Sequence, residues 1–375
     1  MGAEIKIISD YREFCGLKAE WNRLLEGSSA SSVWLRHEWY DCWWQAFGGG
    51  AEMFVAALYR EDKLCGALPL MIVPMRIKGI RQRALRFIEN GITPRSSFLL
   101  PTEPAESLGL LWDEVFRLSG RWDLAVLANF AQGNSGYDEW TAYLRKRGAR
   151  YVELPERISP YLDLGAGWEA VSGSFGRNLR RNLNRAKAKM EKFELVECAS
   201  SGDVRAALKQ CYEISKISWK GQQGVDMGGN ERRIKFYDLI TEAAIANGWI
   251  NIWLLKLGEK YAAFEYAFEA GGYVLPIAAD YDPEFRQYSP GTVLRALVLE
   301  RLCERGMSTY DFAGTIYDYK LYWTKKVRPH SQFWVFHSGL KSRLMYQLKA
   351  RVLPALERMK AKRAPKEEAE ADGDE

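Results

Sequence analysis

The chain has 375 residues, 47% hydrophobic, 27% charged and 13% aromatic, a globular composition long enough for two or three domains. Residues 365–375 hold six acids and one lysine, so a formal charge of +5 leaves +10 on the rest and favours an anionic partner: a phosphate-bearing cofactor, an anionic membrane surface or nucleic acid. Nucleic acid is the weakest of the three, because zinc spacing, a helix-turn-helix signature and RNA-binding aromatic motifs are all missing.

Six scattered cysteines without a CxxC pair read as reduced core thiols, and the charged start MGAEIKIISDYREF does not read as an export signal. The most apolar run, 67–75, is far short of the ~20 residues that span a bilayer. A cytoplasmic protein is expected, peripheral at most to the inner face of the membrane.

In chain order, the spacing of Phe14, Leu17, Trp21 and Leu25 predicts a helix, and 32–47 predicts a second one rich in Trp. Strands 53–60 and 64–75 form a hairpin about Glu61-Asp62-Lys63; strand-like pieces at 84–88 and 124–128 and helices at 106–118 and 136–147 complete an α/β half. The second half opens near Tyr161. Its helix 175–193 puts Phe175, Leu179, Leu183, Ala186 and Met190 on one stripe. Against these stand the cations Arg177, Arg180, Arg181, Arg185, Lys187, Lys189 and Lys192, with Glu191 as their one acid.

A helix at 203–218, the loop Trp219-Lys220-Gly221 and a helix at 231–246 lead to a three-strand antiparallel meander, 249–257, 261–269 and 273–282. A helix from Gly291 to Arg305 and strands 309–313 and 332–337 close an α+β pattern, whose weaker counterpart in the first half points to duplication. From Gly339 an amphipathic helix sets Leu340, Leu344, Leu348, Val352, Leu356 and Met359 against eight basic residues, before an acidic tail of disordered composition. Its stripe suits an anionic membrane surface or packing on the body.

The segment Ala279-Asp280-Tyr281-Asp282-Pro283-Glu284-Phe285-Arg286-Gln287-Tyr288-Ser289-Pro290-Gly291-Thr292 joins a strand to a helix. A small-residue loop that opens a helix leaves first-turn N–H groups at the positive end of the dipole, a phosphate site. Gly291 permits close backbone approach, Pro290 sets the entry and Arg286 adds charge; the plainer reading is an ordinary helix start.

This segment resembles the phosphate loop of the GNAT superfamily, Arg/Gln-x-x-Gly-x-Gly/Ala, with Arg286 to Gly291 in register and Ser289 in the first glycine position. The chain is similar to the two-domain, cellulose-biosynthesis-type (CelD-like) acetyltransferase branch, related to the FemABX peptidyltransferases. Three places bear this likeness. They are Trp34-Leu35-Arg36-His37-Glu38-Trp39 with Trp43-Trp44 and Phe47, Ser218-Trp219-Lys220-Gly221 with Gly224, and Asp311-Phe312-Ala313-Gly314 with Tyr319-Lys320 and Trp323.

The resemblance implies an α+β fold of tandem GNAT-like domains, each a mixed, mostly antiparallel sheet flanked by helices. Residues 1–160 form a degenerate domain, 161–338 one that binds acyl-CoA, and 339–375 the C-terminal amphipathic helix and tail. Acyl-CoA, held by Arg286, Gln287, Ser289, Pro290, Gly291 and Thr292, is a co-substrate, and no cofactor is bound permanently. The acceptor is an amine, either an amino sugar of an envelope glycan precursor or a long-chain, sphingoid-like lipid amine. Alternatives are a FemABX-like transferase fed by aminoacyl-tRNA, whose RNA the basic helix would hold, and a non-catalytic scaffold.

Amide formation from a thioester needs a proton acceptor, an oxyanion donor and a proton source. Asp280 and Glu265 are the candidate bases, although Glu265, interrupting the apolar run 262–268, reads first as a solvent-facing acid. Asp311 ends a buried-looking strand, and Tyr317, Tyr319 and Lys320 follow at the edge expected for the acceptor. The resemblance makes a tyrosine the acid and Tyr319-Lys320 the counterpart of an aromatic–Lys pair at the reacting centre. Composition alone makes Lys320 one more surface lysine of 320–326. Trp219 and Lys220 suit a wall for acceptor or acyl chain, or plain packing.

Overall fold

The computed structural model describes residues 2–28, 32–190, 192–314 and 318–352. Tyr317 and the C-terminal helix positions Leu356 and Met359 lie outside the described residues.

Twelve strands can be placed among the described residues. The first half supplies β1 (Ala3–Ile8), β2 (Glu52–Arg60), β3 (Lys63–Ile77), β4 (Ile80–Phe87), β5 (Leu124–Ala131) and β6 (Arg150–Asp163). The second supplies β7 (Phe193–Cys198), β8 (Ile250–Leu257), β9 (Lys260–Ala270), β10 (Tyr273–Tyr281), β11 (Thr309–Asp311) and β12 (Val327–Phe336). They form one sheet, ordered β1-β2-β3-β4-β5-β12-β6-β11-β10-β9-β8-β7.

That order contains the same unit twice. From β1 to β4 and from β7 to β10 neighbours are antiparallel; then β4 pairs parallel with β5, and β10 parallel with β11. Each parallel step is bridged by a helix beginning with proline, Pro104–Arg117 and Pro290–Glu304. Each unit is finished by the other's strand: β12 pairs with β5, and β6 with β11. The boundary expected after residue 160 therefore falls inside β6. Sequence patterning leaves out β1, β6 and β7. β6 reads RYVELPERISPYLD, with charges and two prolines where apolar alternation would mark a strand, and pairing on both sides rather than side-chain burial defines it.

The tryptophans are glue between the halves. Trp39 of the His37–Phe47 helix stands edge-on to Phe236 and Phe268 of the second half, and Trp21, Trp39 and Trp43 share one core with Phe264, Tyr266 and Phe268. The basic helix is shorter than its pattern, Arg177–Lys189, and buries the expected stripe against Val293 and Leu294. In the C-terminal helix Leu340–Gln347, Met345 packs with Trp334 and Phe336, while Leu340 and Leu344 point to solvent. No helix among the described residues is long and apolar enough to cross a membrane.

Candidate active site

β10 and β11 pair only at Tyr273–Thr309 and Val274–Tyr310, then splay apart. A cleft of about 1130 Å³ opens where they part, at the start of the Pro290–Glu304 helix. Arg286, Ser289, Pro290, Gly291 and Thr292 line it; Gln287 does not. Ser289 is left-handed (φ 50°, ψ 50°), a conformation that a glycine adopts without steric cost and a serine does not. Gly291 has ordinary helical backbone, and a Cβ there would meet Tyr281 Cδ1 at 3.6 Å, a normal contact; its openness faces the cleft rather than the protein. Ser289→Gly is expected to stabilise the fold by about 1 kcal/mol, the usual cost of a left-handed residue bearing a Cβ; denaturant unfolding measures it.

Glu265 corrects the solvent-facing reading. It is 1% exposed, because its side of β9 is covered by the Pro290–Glu304 helix, and Arg295 of that helix meets it at 3.2 Å while Tyr310 donates to it at 2.7 Å. Burial works against the Arg295 cation, but Tyr310 and Glu265 outweigh it and hold its pKa above the usual value. The pair is a buried, satisfied polar brace on the cleft wall.

Asp280 also lines the cleft. Lys220 reaches it at 3.0 Å and donates to the Ala279 carbonyl at 2.7 Å, and Ser215 donates to its second oxygen at 2.9 Å. Burial raises the Asp280 pKa, with Lys220 pulling the other way. Trp219 and Lys220 lie on a short helix, Trp219–Gln222, rather than a loop. Both border the cleft.

Lys320 is not a surface lysine. It is 7% exposed, and its Nζ donates to the carbonyls of Phe312 (2.9 Å) and Ala313 (2.6 Å). Those carbonyls converge because Ala313 and Gly314 are both left-handed (φ 47° and 57°). Burial and the nearby Arg295 push the Lys320 amine down to about 7, where a proton can be taken or given at neutral pH. Tyr319 is half-exposed, lines the cleft and lies against the Arg295 guanidinium.

The structure does not join Asp311 to Lys320 directly. The Asp311 carboxylate turns towards the first half, bonded to Arg95, to Tyr273 and to Arg328 at 2.7 Å, while its other oxygen accepts from Ala313 N at 2.8 Å. Burial opposes its charge, yet Arg95, Tyr273 and Arg328 keep its pKa below the usual carboxylate value. Sequence reasoning missed Arg95, Arg295, Tyr310 and Ser215. Of these only Arg295, one turn beyond Gly291 on the same helix, had a local signal.

In the first half the equivalent split is partly filled. Beyond Phe87 the gap between β3 and β5 is filled by the chain at 96–99, with Ser96 bridging Phe130 and Leu99 bridging Ala67. Arg95 enters from this plug. One open split and one plugged split define a tandem GNAT-like fold, and a further cavity of about 770 Å³ borders the plug, lined by Arg95, Ser96, Phe98 and Pro104 among others.

Comparison with known proteins agrees with that class. Residues 174–321, in the half with the open split, match the family described as acetyltransferase (GNAT) domain. A crystal structure of FemX shares the fold over 92% of this chain and 99% of its own (13% identity, TM-score 0.60). So do L-PGS from Bacillus licheniformis (12%, 0.54, 91% and 97%) and the C-terminal domain of a putative lysylphosphatidylglycerol synthetase from Agrobacterium fabrum (14%, 0.53, 88% and 95%). At such identities the likeness is one of fold. No curated protein matches the sequence.

Proposed function

We propose that the protein is an acyl-CoA-dependent N-acyltransferase of the two-domain, cellulose-biosynthesis-type branch, acting on an amino sugar or a long-chain amine. The observation that supports this most is the splayed β10–β11 split, opening onto a helix start lined by Ser289, Pro290, Gly291 and Thr292. There the donor's pyrophosphate would meet backbone N–H groups and Arg286. The donor thioester then extends into the split beside Asp280, Tyr319 and Lys320, and transfer is direct within a ternary complex. Asp280, with its raised pKa, or neutral Lys320 takes the proton of the incoming amine. The Tyr319 hydroxyl is the proton source for the departing thiolate.

The test is acyl-CoA consumption followed by mass spectrometry against pools of amines, paired with calorimetry of acetyl-CoA binding. Gly291→Val should fold normally, since its Cβ position is free of clash, yet bind acetyl-CoA well over tenfold more weakly, about 1.4 kcal/mol or more. Equal affinity in the folded variant would remove the loop from the donor site. An aminoacyl-tRNA donor is the second reading, supported by the unopposed cations of the Arg177–Lys189 helix; transfer from charged tRNA without acyl-CoA binding would select it.

A further inference from the structure

The mouth of the cleft is bordered by side chains that water does not favour. Trp219 and Tyr322 line it, Ile217 and Val225 flank Trp219 on the same short stretch of chain without lining the cleft, and all four are between 42% and 61% exposed. The stretch has a defined path. Val225 N donates to the Lys220 carbonyl at 3.1 Å, which folds the chain at Val225 back onto the Trp219–Gln222 helix, and a Cβ at Gly221 would collide with the Lys216 carbonyl.

Next to this rim stands the Arg177–Lys189 helix, whose first turn lines the same cleft. It exposes Arg177, Arg180, Arg181, Arg185 and Lys189, and its one ion pair among the described residues is Lys187–Glu300 at 3.9 Å. An aromatic and aliphatic rim beside an unopposed cationic helix has two chemistries to satisfy. An anionic bilayer satisfies both, because the apolar groups enter the acyl boundary while the cations meet lipid phosphates. RNA complements the charge and could stack a base on Trp219 or Tyr322, but it offers no apolar surface to Ile217 and Val225.

We propose that this rim and helix dock the protein on an anionic lipid bilayer, with the cleft mouth on the membrane, so that a long-chain amine enters directly from the lipid phase. The identity of the acceptor rests on the acyltransferase reading above; the docking does not.

The full chain is sedimented with vesicles of equal parts phosphatidylglycerol and phosphatidylcholine, and with phosphatidylcholine alone. Binding is expected to the first and not the second. It should fall by about tenfold or more in Ile217→Asp/Val225→Asp and in Arg180→Glu/Arg181→Glu, all four side chains being exposed so that thermal stability is retained. A chain truncated after Gly339 should still bind. Failure to sediment, or binding that survives both double variants, overturns the docking, as does binding lost only on truncation, which assigns the contact to the C-terminal helix. Wild-type protein that retains transfer RNA but not vesicles overturns it too. In a second arm, octadecylamine carried in the anionic vesicles should be acylated from acetyl-CoA by the wild type and poorly by the rim variant, at unchanged acetyl-CoA affinity. Vesicle binding without acylation of any amine leaves the docking standing and sinks the acyltransferase reading instead.

Discussion

Lys320→Met is expected to lower turnover by ~10²–10³, the usual effect of deleting one preorganised group at the reacting centre, with acetyl-CoA affinity unchanged. Methionine keeps the length and apolar stem of lysine, so the buried space stays filled. The pH dependence shows which protonation state works. With its value near 7, neutral Lys320 accepts a proton, and the wild-type rate should rise through about pH 7 and lose that limb in the variant. A limb falling through the same pH would instead assign Lys320 to holding charge on the thioester oxygen.

Stability supplies an independent readout of the same group. Its folded pKa, about 7, lies below the ordinary 10.5, so the unfolded chain binds the proton more tightly. The resulting destabilisation is fully present below about pH 7, shrinks as pH rises and is gone above 10.5. Lys320→Met removes it at the cost of the hydrogen bonds to the Phe312 and Ala313 carbonyls among others, so the variant's melting temperature relative to wild type should be highest in acid and decline towards alkaline pH. A difference independent of pH, with turnover within about threefold of wild type, would place Lys320 outside the mechanism and shift attention to Asp280.

How much of this was legible follows from the range of each signal. The stripe from Phe175 to Met190 and the β8–β10 meander are local periodicities, and both reappear in place. The loop from Arg286 to Thr292 is also local, and Ser289, at the first glycine position of the pattern, has the left-handed backbone that favours glycine. Lys320 sits in a lysine-rich run, and its burial arises from two successive left-handed residues, Ala313 and Gly314, which no composition encodes. Glu265 reads as exposed by polarity alone because its partner Arg295 lies 30 residues away on a helix that covers that side of β9. Arg95 is the extreme case: it lies in an aperiodic segment, 216 residues from Asp311, and matters only because the first split is plugged.

Arg95→Met should be the most destabilising single change considered. Asp311 is fully buried, and removing one partner of a buried ion pair typically costs about 3–5 kcal/mol, because the remaining charge is left short of compensation. Arg328 and Tyr273 stay bonded to Asp311, which places the expectation near the lower end of that range. In the wild type the depressed Asp311 pKa gives stability that is present above the ordinary 3.8 and lost as pH falls through the folded value. Without Arg95 that folded value rises, so the acid-unfolding midpoint should move to higher pH. Arg95→Met/Asp311→Asn removes the unpaired charge and should recover part of the loss. The functional consequence runs through the turn: Asp311 fixes Ala313 N, and the carbonyls of Phe312 and Ala313 hold Lys320, so turnover should fall while acetyl-CoA affinity holds. Arg95→Lys, which restores charge without the planar fork, should recover stability more than turnover. An Arg95→Met protein with wild-type melting temperature, acid midpoint and turnover would show that the plugged half contributes nothing to the geometry around Lys320.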